Sequence, residues 1–172
     1  GVWAEDRIVP DCIRAWSQDR TVEVRNPDAT RPWQHVLEPL SGYLWLGILL
    51  AERATLNGEA FNFGPPLVQD HSVGDVITAL AGVWSGEARY QIARPAGGVA
   101  EAGLLKLNCD KAFAHLKWRP TLDFQEMIEL TGQWYDGYYR KDRRESVLAL
   151  TGTQIERYES LARIRGIAWA CD

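Results

Sequence analysis

The sequence is poor in the residues that build disulfide frameworks and metal sites. Only 3 cysteines and 3 histidines occur among 172 residues, and both sets are widely spaced. Cys12, Cys109 and Cys171 are odd in number and form no close C-x-x-C pair, which argues against a disulfide scaffold and against a zinc site. We therefore expect a reducing compartment and no structural metal.

An excess of one charge and a long apolar run are also missing. The 19 basic and 23 acidic residues leave a net charge of −4, so the chain lacks the basic surface that nucleic acids and anionic membranes require. The longest apolar run, residues 43–51, is interrupted by Gly47 and is far too short to cross a bilayer. No signal-peptide pattern opens the chain. We expect a cytoplasmic protein whose partners include neither nucleic acid nor membrane.

The common catalytic motifs are absent from the sequence. It contains no H-E-x-x-H, no G-x-S-x-G, no Walker loop, no G-x-G-x-x-G and no Tyr-x-x-x-Lys pair. Metal-dependent hydrolysis, acyl transfer by a serine nucleophile and autonomous NAD binding therefore have no support. We predict no catalytic residue and no metal ligand in this chain.

The composition, with 46% apolar residues, is sufficient for one domain with a real core. Apolar periodicity and capping residues predict helices at residues 8–16, 36–54, 73–83, 109–116, 154–165, and from a capping box at 123–126 to residue 139. Alternation predicts short strands at residues 21–25, 60–64, 90–93 and 104–108. The expected fold class is α+β, or a partial α/β fold, with few short strands and five or six helices.

Four of these segments carry a further expectation. Residues 36–54 should form the longest buried helix of the first half, and residues 154–165 an exposed helix. The glycine-rich residues 95–103 favour a flexible connector, and residues 141–146 are a solvated charge run.

Residues 30–38, TRPWQHVLE, are the most distinctive stretch of the chain. Arg31 has the planar fork of donors that grips a phosphate oxygen, and it stands at a loop-to-helix junction. Arg31 could instead form a surface ion pair with Asp28 or Glu38, and composition alone favours this structural interpretation. If Arg31 binds a ligand, we expect Trp33 and His35 to hold it in place and not to do chemistry.

Other candidate binding residues have structural alternatives as well. Most of the 8 tryptophans should be core residues, but Trp3 and Trp33 stand beside charged residues at loop edges and could line a pocket. Asn62 could contact a ligand, or its side chain could bridge loop backbone groups beside Gly64.

Four segments together give the sequence a family resemblance. They are residues 3–11 (WAEDRIVPD), 25–44 (RNPDATRPWQHVLEPLSGYL), 61–65 (FNFGP) and 116–120 (LKWRP). The chain resembles the C-terminal half of the CDP-glucose 4,6-dehydratases, extended short-chain dehydrogenase/reductases that act on a nucleotide sugar. The resemblance covers residues 1 to 165, and the second segment is its most specific part.

The resemblance implies a role for several residues. This portion would be the smaller, substrate-binding part of such an enzyme, in which Arg7 approaches the nucleotide end, Arg31 the diphosphate and Asn62 the same phosphate region. The half that binds NAD in that family, with its glycine fingerprint and catalytic tyrosine and lysine, has no counterpart among these 172 residues. The chain would hold no cofactor of its own.

The sequence also departs from the family pattern at one place. Relatives usually carry a histidine and an aromatic residue before an L-K-L-D strand, where this chain has Ala100, Gly103 and Leu104 followed by LKLN. In the family those residues help to enclose the nucleotide, so the departure bears on pocket closure.

The sequence leaves three hypotheses for function. The first is the nucleotide-sugar-binding portion of a dehydratase-like lyase, inactive alone because hydride chemistry needs NAD and a positioned acid and base. The second is a free-standing binding or oligomer-forming protein derived from such a half, and the third is a truncated product with no selected role. A dehydratase half without its partner leaves an apolar face uncovered, so we expect either a homo-oligomer or a complementary N-terminal chain.

Overall fold

The structure, a computed structural model, describes residues 3–93, 104–139 and 146–171. Within these ranges the helices are α1 (Ile8–Trp16), α2 (Leu37–Glu52), α3 (Val73–Val83), α4 (Asp110–Leu116), α5 (Phe124–Tyr139) and α6 (Val147–Ile164). The strands are β1 (Val22–Val24) and β2 (Tyr90–Ile92), and 3₁₀ turns span Ala54–Leu56 and Ala168–Ala170. The expected fold class is confirmed, since the described residues combine six helices with two short strands and no complete sheet.

Capping residues fix the start of two helices as the sequence predicts. The Ser72 hydroxyl accepts a hydrogen bond from Asp75 N at 3.1 Å, while the Asp75 carboxylate accepts one from Ser72 N at 2.8 Å. Asp123 and Glu126 make the same reciprocal pair at the start of α5, at 2.8 and 2.9 Å. Each pair satisfies backbone donors that a helix start otherwise leaves open. The predicted bounds of α1 and α3 are confirmed as well.

The strands within the described ranges form one parallel pair. Val22 pairs with Tyr90, and Val24 pairs with Ile92. Val22 and Val24 are buried and Glu23 is exposed, as expected for alternating side chains. The strands predicted at residues 60–64 and 104–108 do not form within the described part of the chain. Leu104 makes only an isolated bridge, and Phe63 is buried against α2 instead. Alternation alone does not make a strand, because a ladder needs a neighbouring strand in register.

Four packed clusters form the core of the described residues, and two of them are larger than the others. The first joins α1, α3, α5 and the sheet, and it includes Trp16, whose indole N–H donates to Arg89 O at 2.9 Å. The second packs Phe63 and Trp118 beneath α2, with ring centroids 4.9 Å apart. Gly42 is required there, since a Cβ atom at this position would lie 2.3 Å from the Phe63 ring.

The expectation that α2 would be a buried helix is wrong. Its Glu38, Gly42 and Leu49 are buried, but the opposite side carries exposed apolar side chains. We call this surface the α2 stripe; it consists of Val36, Leu40, Tyr43, Leu44 and Ile48. A helix that is apolar on all sides is normally packed against other elements on all sides. The described residues pack against α2 on one side only.

The last helix is longer and less exposed than predicted. It begins at Val147, after Ser146 accepts a hydrogen bond from Ala149 N at 3.1 Å. Gln154 and Tyr158 are buried on its inner face, which packs against α5. The prediction of an exposed helix at 154–165 therefore holds for its outer face alone.

Some predictions fall outside the described residues. The connector at 95–103 and nearly all of the charge run at 141–146 lie there, as do Ala100 and Gly103. Among the helices that are described, none combines the length and apolarity needed to cross a bilayer.

The Glu38 carboxylate is the main polar link between separate parts of the fold. It is buried in the first turn of α2 and accepts hydrogen bonds from Thr121 N at 3.0 Å, Leu122 N at 2.6 Å and the Tyr158 hydroxyl at 2.9 Å. Burial raises the pKa of Glu38, and the two backbone donors oppose that shift. The carboxylate thus ties α2 to the turn before α5 and to α6.

Replacing Glu38 tests this link. Glu38→Ala leaves the Thr121 and Leu122 N–H groups buried without an acceptor, so we expect the free energy of unfolding to fall by about 3 kcal/mol. Tyr158→Phe removes one donor and should cost about 1 kcal/mol. Urea denaturation measures both, with the exposed Glu52→Ala on the same helix as the control that should change little. A Glu38→Ala protein as stable as the control would contradict the assignment.

Candidate functional site

A cavity of about 1030 Å³ is the candidate site. Its walls come from the start of α1, the end of β1, the loop at residues 29–37, α3, α5 and α6. The volume is at the upper end of the range typical of small-molecule pockets. Residues that are far apart in sequence therefore share one concave surface.

Arg31 lies on the wall of this cavity. Its loop is fixed by Thr30, which bridges to Ser72 on one side and to Leu104 on the other. The Arg31 Nη1 donates to Thr30 O at 2.8 Å, which orients the guanidinium along its own loop. Glu38, one of the two ion-pair partners considered from the sequence, is buried and accepts hydrogen bonds from Thr121, Leu122 and Tyr158.

Arg7 lines the same cavity from a different element. It immediately precedes α1, and its carbonyl accepts the first hydrogen bond of that helix from Asp11 N at 3.0 Å. Its side chain is exposed. The cavity therefore brings together Arg7 and Arg31, two residues singled out from the sequence.

Trp33 and His35 stabilise the loop between Arg31 and α2. The Trp33 indole N–H donates to His71 O at 2.8 Å, which ties the loop to the segment before α3. His35 is only 8% exposed, and its Nδ1 accepts a hydrogen bond from Leu37 N at 3.3 Å at the start of α2. Burial lowers the pKa of His35 to about 4, so its imidazole is neutral at pH 7.

Asn62 and Trp3 lie away from this surface. The Asn62 amide donates to Asn108 O at 3.1 Å, which matches the structural alternative of a loop bridge. Trp3 packs among the aromatic side chains of α5, with its ring centroid 4.9 Å from that of Tyr138. Neither residue is among those that line the cavity.

The sequence reasoning did not single out several residues of the cavity. Arg25 follows β1 directly, Gln34 donates through Nε2 to Phe63 O at 3.1 Å, and Trp134 contributes an indole from α5. A cation placed immediately after a strand is a signal that could have identified Arg25, since ligands often bind at the carboxyl ends of parallel strands. Trp134 gave no comparable signal, because its helical spacing also fits burial.

The lining offers several donors to an anion, although it also contains the carboxylates of Asp6, Asp11 and Glu23. Three guanidinium groups, those of Arg7, Arg25 and Arg31, share the cavity with two indoles and several apolar side chains. No group of three or more potential metal-ligating side chains occurs among residues 3–93, 104–139 and 146–171. His35, the imidazole on the wall, uses its Nδ1 within the loop.

Comparison with solved structures defines the class of fold. The chain superposes on UDP-glucuronic acid 4-epimerase from Bacillus cereus in complex with UDP-glucuronic acid and NAD, with a TM-score of 0.63 and 18% identity over 78% of this chain and 41% of the epimerase. The NAD complex of that epimerase gives a TM-score of 0.62 and 17% identity over 82% of this chain and 42% of the epimerase. The fold is that of one part of an extended short-chain dehydrogenase/reductase, as expected.

A more specific similarity comes from sequence. The chain is 33% identical over 160 residues to CDP-glucose 4,6-dehydratase of Salmonella typhimurium (strain LT2), and the match covers 93% of this chain. The resemblance to the CDP-glucose 4,6-dehydratases is therefore confirmed. The sequence matches no protein-family model. The chain spans less than half the length of these relatives, 44% of the dehydratase and about the same share of the epimerase.

The residues of this chain do not fit the NAD that the fold class implies. A dinucleotide site in this class needs a glycine-rich turn after a strand of a multi-stranded parallel sheet. The sequence has no such fingerprint, and the described residues form two strands of three residues each. The expectation that this chain alone holds no NAD remains a prediction.

The buried His35 gives the stability a pH dependence that can be tested. Its pKa is about 4 in the fold and 6.5 in the unfolded chain, so only the unfolded chain takes up this proton between those values. Its contribution is complete above pH 6.5 and is lost as the pH falls towards 4. From pH 7 to pH 5 it should lower the free energy of unfolding by about 2 kcal/mol.

Urea denaturation at pH 7 and at pH 5 measures this change in the free energy of unfolding. His35→Asn keeps an acceptor for Leu37 N but does not titrate, so it should lose this part of the pH dependence. The exposed His115→Asn is the control and should retain it. If the two variants follow the same pH profile, His35 is not the buried neutral imidazole described above.

Proposed function

We propose that this chain is the nucleotide-sugar-binding portion of a CDP-glucose 4,6-dehydratase-like lyase. The observation that supports it most is the single cavity in which Arg7, Arg31 and Trp33 meet. These residues come from two of the four segments that carry the family resemblance, residues 3–11 and 25–44. The proposed ligand is CDP-glucose or a close relative of it.

The chemistry of the cavity suits such a ligand. A nucleotide sugar carries a diphosphate, which planar guanidinium groups bind through paired N–H donors. The indoles of Trp33 and Trp134 offer apolar surface for a sugar or a base. Trp33 and His35 act as positioning residues, since each holds the Arg31 loop through a hydrogen bond to or from the backbone.

We do not expect this chain to catalyse dehydration by itself. That reaction removes a hydride from the sugar, eliminates water and returns the hydride, so it needs NAD together with a positioned acid and base. The sequence has neither the glycine fingerprint nor a Tyr-x-x-x-Lys pair. The role of these residues is to bind and orient the nucleotide sugar.

Calorimetric titration tests the proposal. The wild-type chain should bind CDP and CDP-glucose, and Arg31→Ala should weaken both at least about tenfold because a charge-assisted pair of hydrogen bonds is lost. Arg31→Lys should fall between the two, since an ammonium keeps the charge without the fork. Arg20→Ala, an exposed arginine away from the cavity, is the matched control. Absence of binding by the wild-type chain would contradict the proposal.

The α2 stripe favours a second candidate function, an oligomer-forming protein without enzymatic activity. Leu40, Leu44 and Ile48 recur every four residues and are all exposed, and the helix carries no charged residue between Glu38 and Glu52. Gly47 lies on the same side with open space around it, which lets another helix approach closely. An uninterrupted apolar face of this kind is typical of an interface, and we propose a second copy of this chain as its partner.

Sedimentation equilibrium tests that candidate. The wild-type chain should sediment as a dimer, and Leu44→Glu should shift it to monomer because a charge would be buried at the interface. Ile164→Glu is the matched control: Ile164 is 82% exposed and Leu44 is 72% exposed, but Ile164 lies at the end of α6. A wild-type chain that is strictly monomeric would exclude self-association and leave a complementary N-terminal chain as the candidate partner.

A further inference from the structure

One wall of the cavity is a loop that side chains hold in place. Residues 31–35 form neither helix nor strand, although they lie between a bridged segment and the start of α2. The Trp33 indole N–H donates to His71 O at 2.8 Å, and the Gln34 Nε2 donates to Phe63 O at 3.1 Å. These two hydrogen bonds tie the loop to the segments on either side of it.

His35 is a third anchor of this loop, and it is the one of the three that can take up a proton. Its imidazole is buried on the cavity wall, and Nδ1 accepts a hydrogen bond from Leu37 N at 3.3 Å. A protonated imidazole donates from both ring nitrogens, so it can no longer accept this bond. Protonation also places a charge in a buried position, which is costly without a counter-charge.

The closed loop is not fully satisfied. The Gln34 Oε1 is buried and has no hydrogen-bond partner within the described part of the chain. A buried acceptor without a donor opposes closure. Segments with few backbone hydrogen bonds also open at a lower free energy than a packed core does. This loop therefore meets the conditions for opening by itself.

Several titratable or charged residues share the cavity with His35. They come from the start of α1, from β1 and the residue after it, from the loop itself and from α5: Asp6, Arg7, Asp11, Glu23, Arg25, Arg31 and Tyr135. The residues that α6 contributes, Thr151, Gln154 and Ile155, do not titrate. Burial, and not one of these charges, is the cause that lowers the pKa of His35 to about 4.

The Glu38 anchor of α2 responds to acid in the opposite direction. It follows His35 closely, and its N–H donates to His35 O at 3.0 Å. Burial raises the pKa of Glu38, so the folded chain takes up a proton there more readily than the unfolded chain. A fall in pH therefore weakens the closed loop through His35 but does not weaken the fold through Glu38.

We infer that His35 is a proton-sensitive latch: its neutral imidazole holds residues 31–35 as a wall of the cavity, and its protonation releases this loop while α2 and the core stay folded. The inference does not depend on the proposed function, because the loop lines the cavity whatever ligand binds there. With a pKa of about 4 in the closed loop and 6.5 in the open one, the ratio of open to closed loop should rise about twentyfold from pH 7 to pH 5.

Amide hydrogen exchange of the full chain, followed by NMR at pH 7 and pH 5 in low concentrations of urea, tests the latch. Each exchange rate is divided by its intrinsic rate at the same pH. The amides of Trp33, Leu37 and Glu38 report on the loop, and those of Ile77 and Leu80 in α3 report on the core. A local opening exposes little surface, so its dependence on urea is shallow.

We expect the loop amides of the wild-type chain to lose protection about twentyfold from pH 7 to pH 5, with a shallow urea dependence. The core amides should stay more protected and depend steeply on urea. His35→Asn keeps an acceptor for Leu37 N but does not titrate, so it should abolish the loss in the loop. The other two histidines provide matched controls: His71→Asn, beside the Trp33 anchor, and the exposed His115→Asn should both retain it.

The wild-type chain alone can overturn the inference. If its loop amides keep the same protection at both pH values, or if they share the urea dependence of the core amides, no local opening takes place. A loss that persists in His35→Asn, or that disappears in His71→Asn, assigns the proton to another group and overturns the latch as well.

Discussion

The buried carboxylate of Glu38 is the interaction on which the arrangement of the site depends. It begins α2 and accepts hydrogen bonds from Thr121, Leu122 and Tyr158, so one side chain joins three separate parts of the chain. Ser41, one turn later, extends this network by contacting the Tyr158 hydroxyl at 3.0 Å and accepting from the Trp118 indole at 3.1 Å. The loop that carries Arg31 and Trp33 leads directly into this anchored turn. Charge that is costly to bury is here compensated by several donors, which gives α2 one defined position relative to α5 and α6.

Electrostatics give the cavity its chemical character. The chain as a whole is acidic, with a net charge of −4, yet three of its arginines lie on one concave surface. The same surface carries the carboxylates of Asp6, Asp11 and Glu23, so a bound anion would have to contact the guanidinium groups directly. The neutral His35 adds no charge to this surface, and its role is to hold the start of α2.

The exposed apolar surface of α2 and the short sheet belong to a chain that matches less than half of the length of its relatives. The Salmonella dehydratase and the Bacillus epimerase are both more than twice as long as the part this chain matches. Parallel sheets are normally covered on both faces, and β2 is exposed along its whole length. Exposed apolar surface of this kind is typical of interaction sites.

Local features of the fold were predictable from the sequence. The spacing of apolar residues predicts the bounds of α1 and α3 and the segments that pair as β1 and β2. Side chains that satisfy the first backbone N–H groups of a helix predict the caps of α3 and α5. Both features are local properties of the sequence. The resemblance to the dehydratases also rested on short segments in order along the chain. The prediction of strands at residues 60–64 and 104–108 is wrong for the described part of the chain, because a ladder needs a partner strand that the sequence does not identify.

The site shows the same division between sequence and tertiary structure. The position of Arg31 and Trp33 in a loop before an apolar helix could be read from one segment, because it follows from local residue types and spacing. Three features became visible in the folded chain alone: Arg7 and Arg25 share a cavity with Arg31, Asn62 donates to Asn108 O, and Glu38 is a buried anchor and not a surface partner of Arg31. The physical reason is that burial and convergence are set by contacts between residues up to 120 positions apart, as between Glu38 and Tyr158, and no local pattern encodes such contacts.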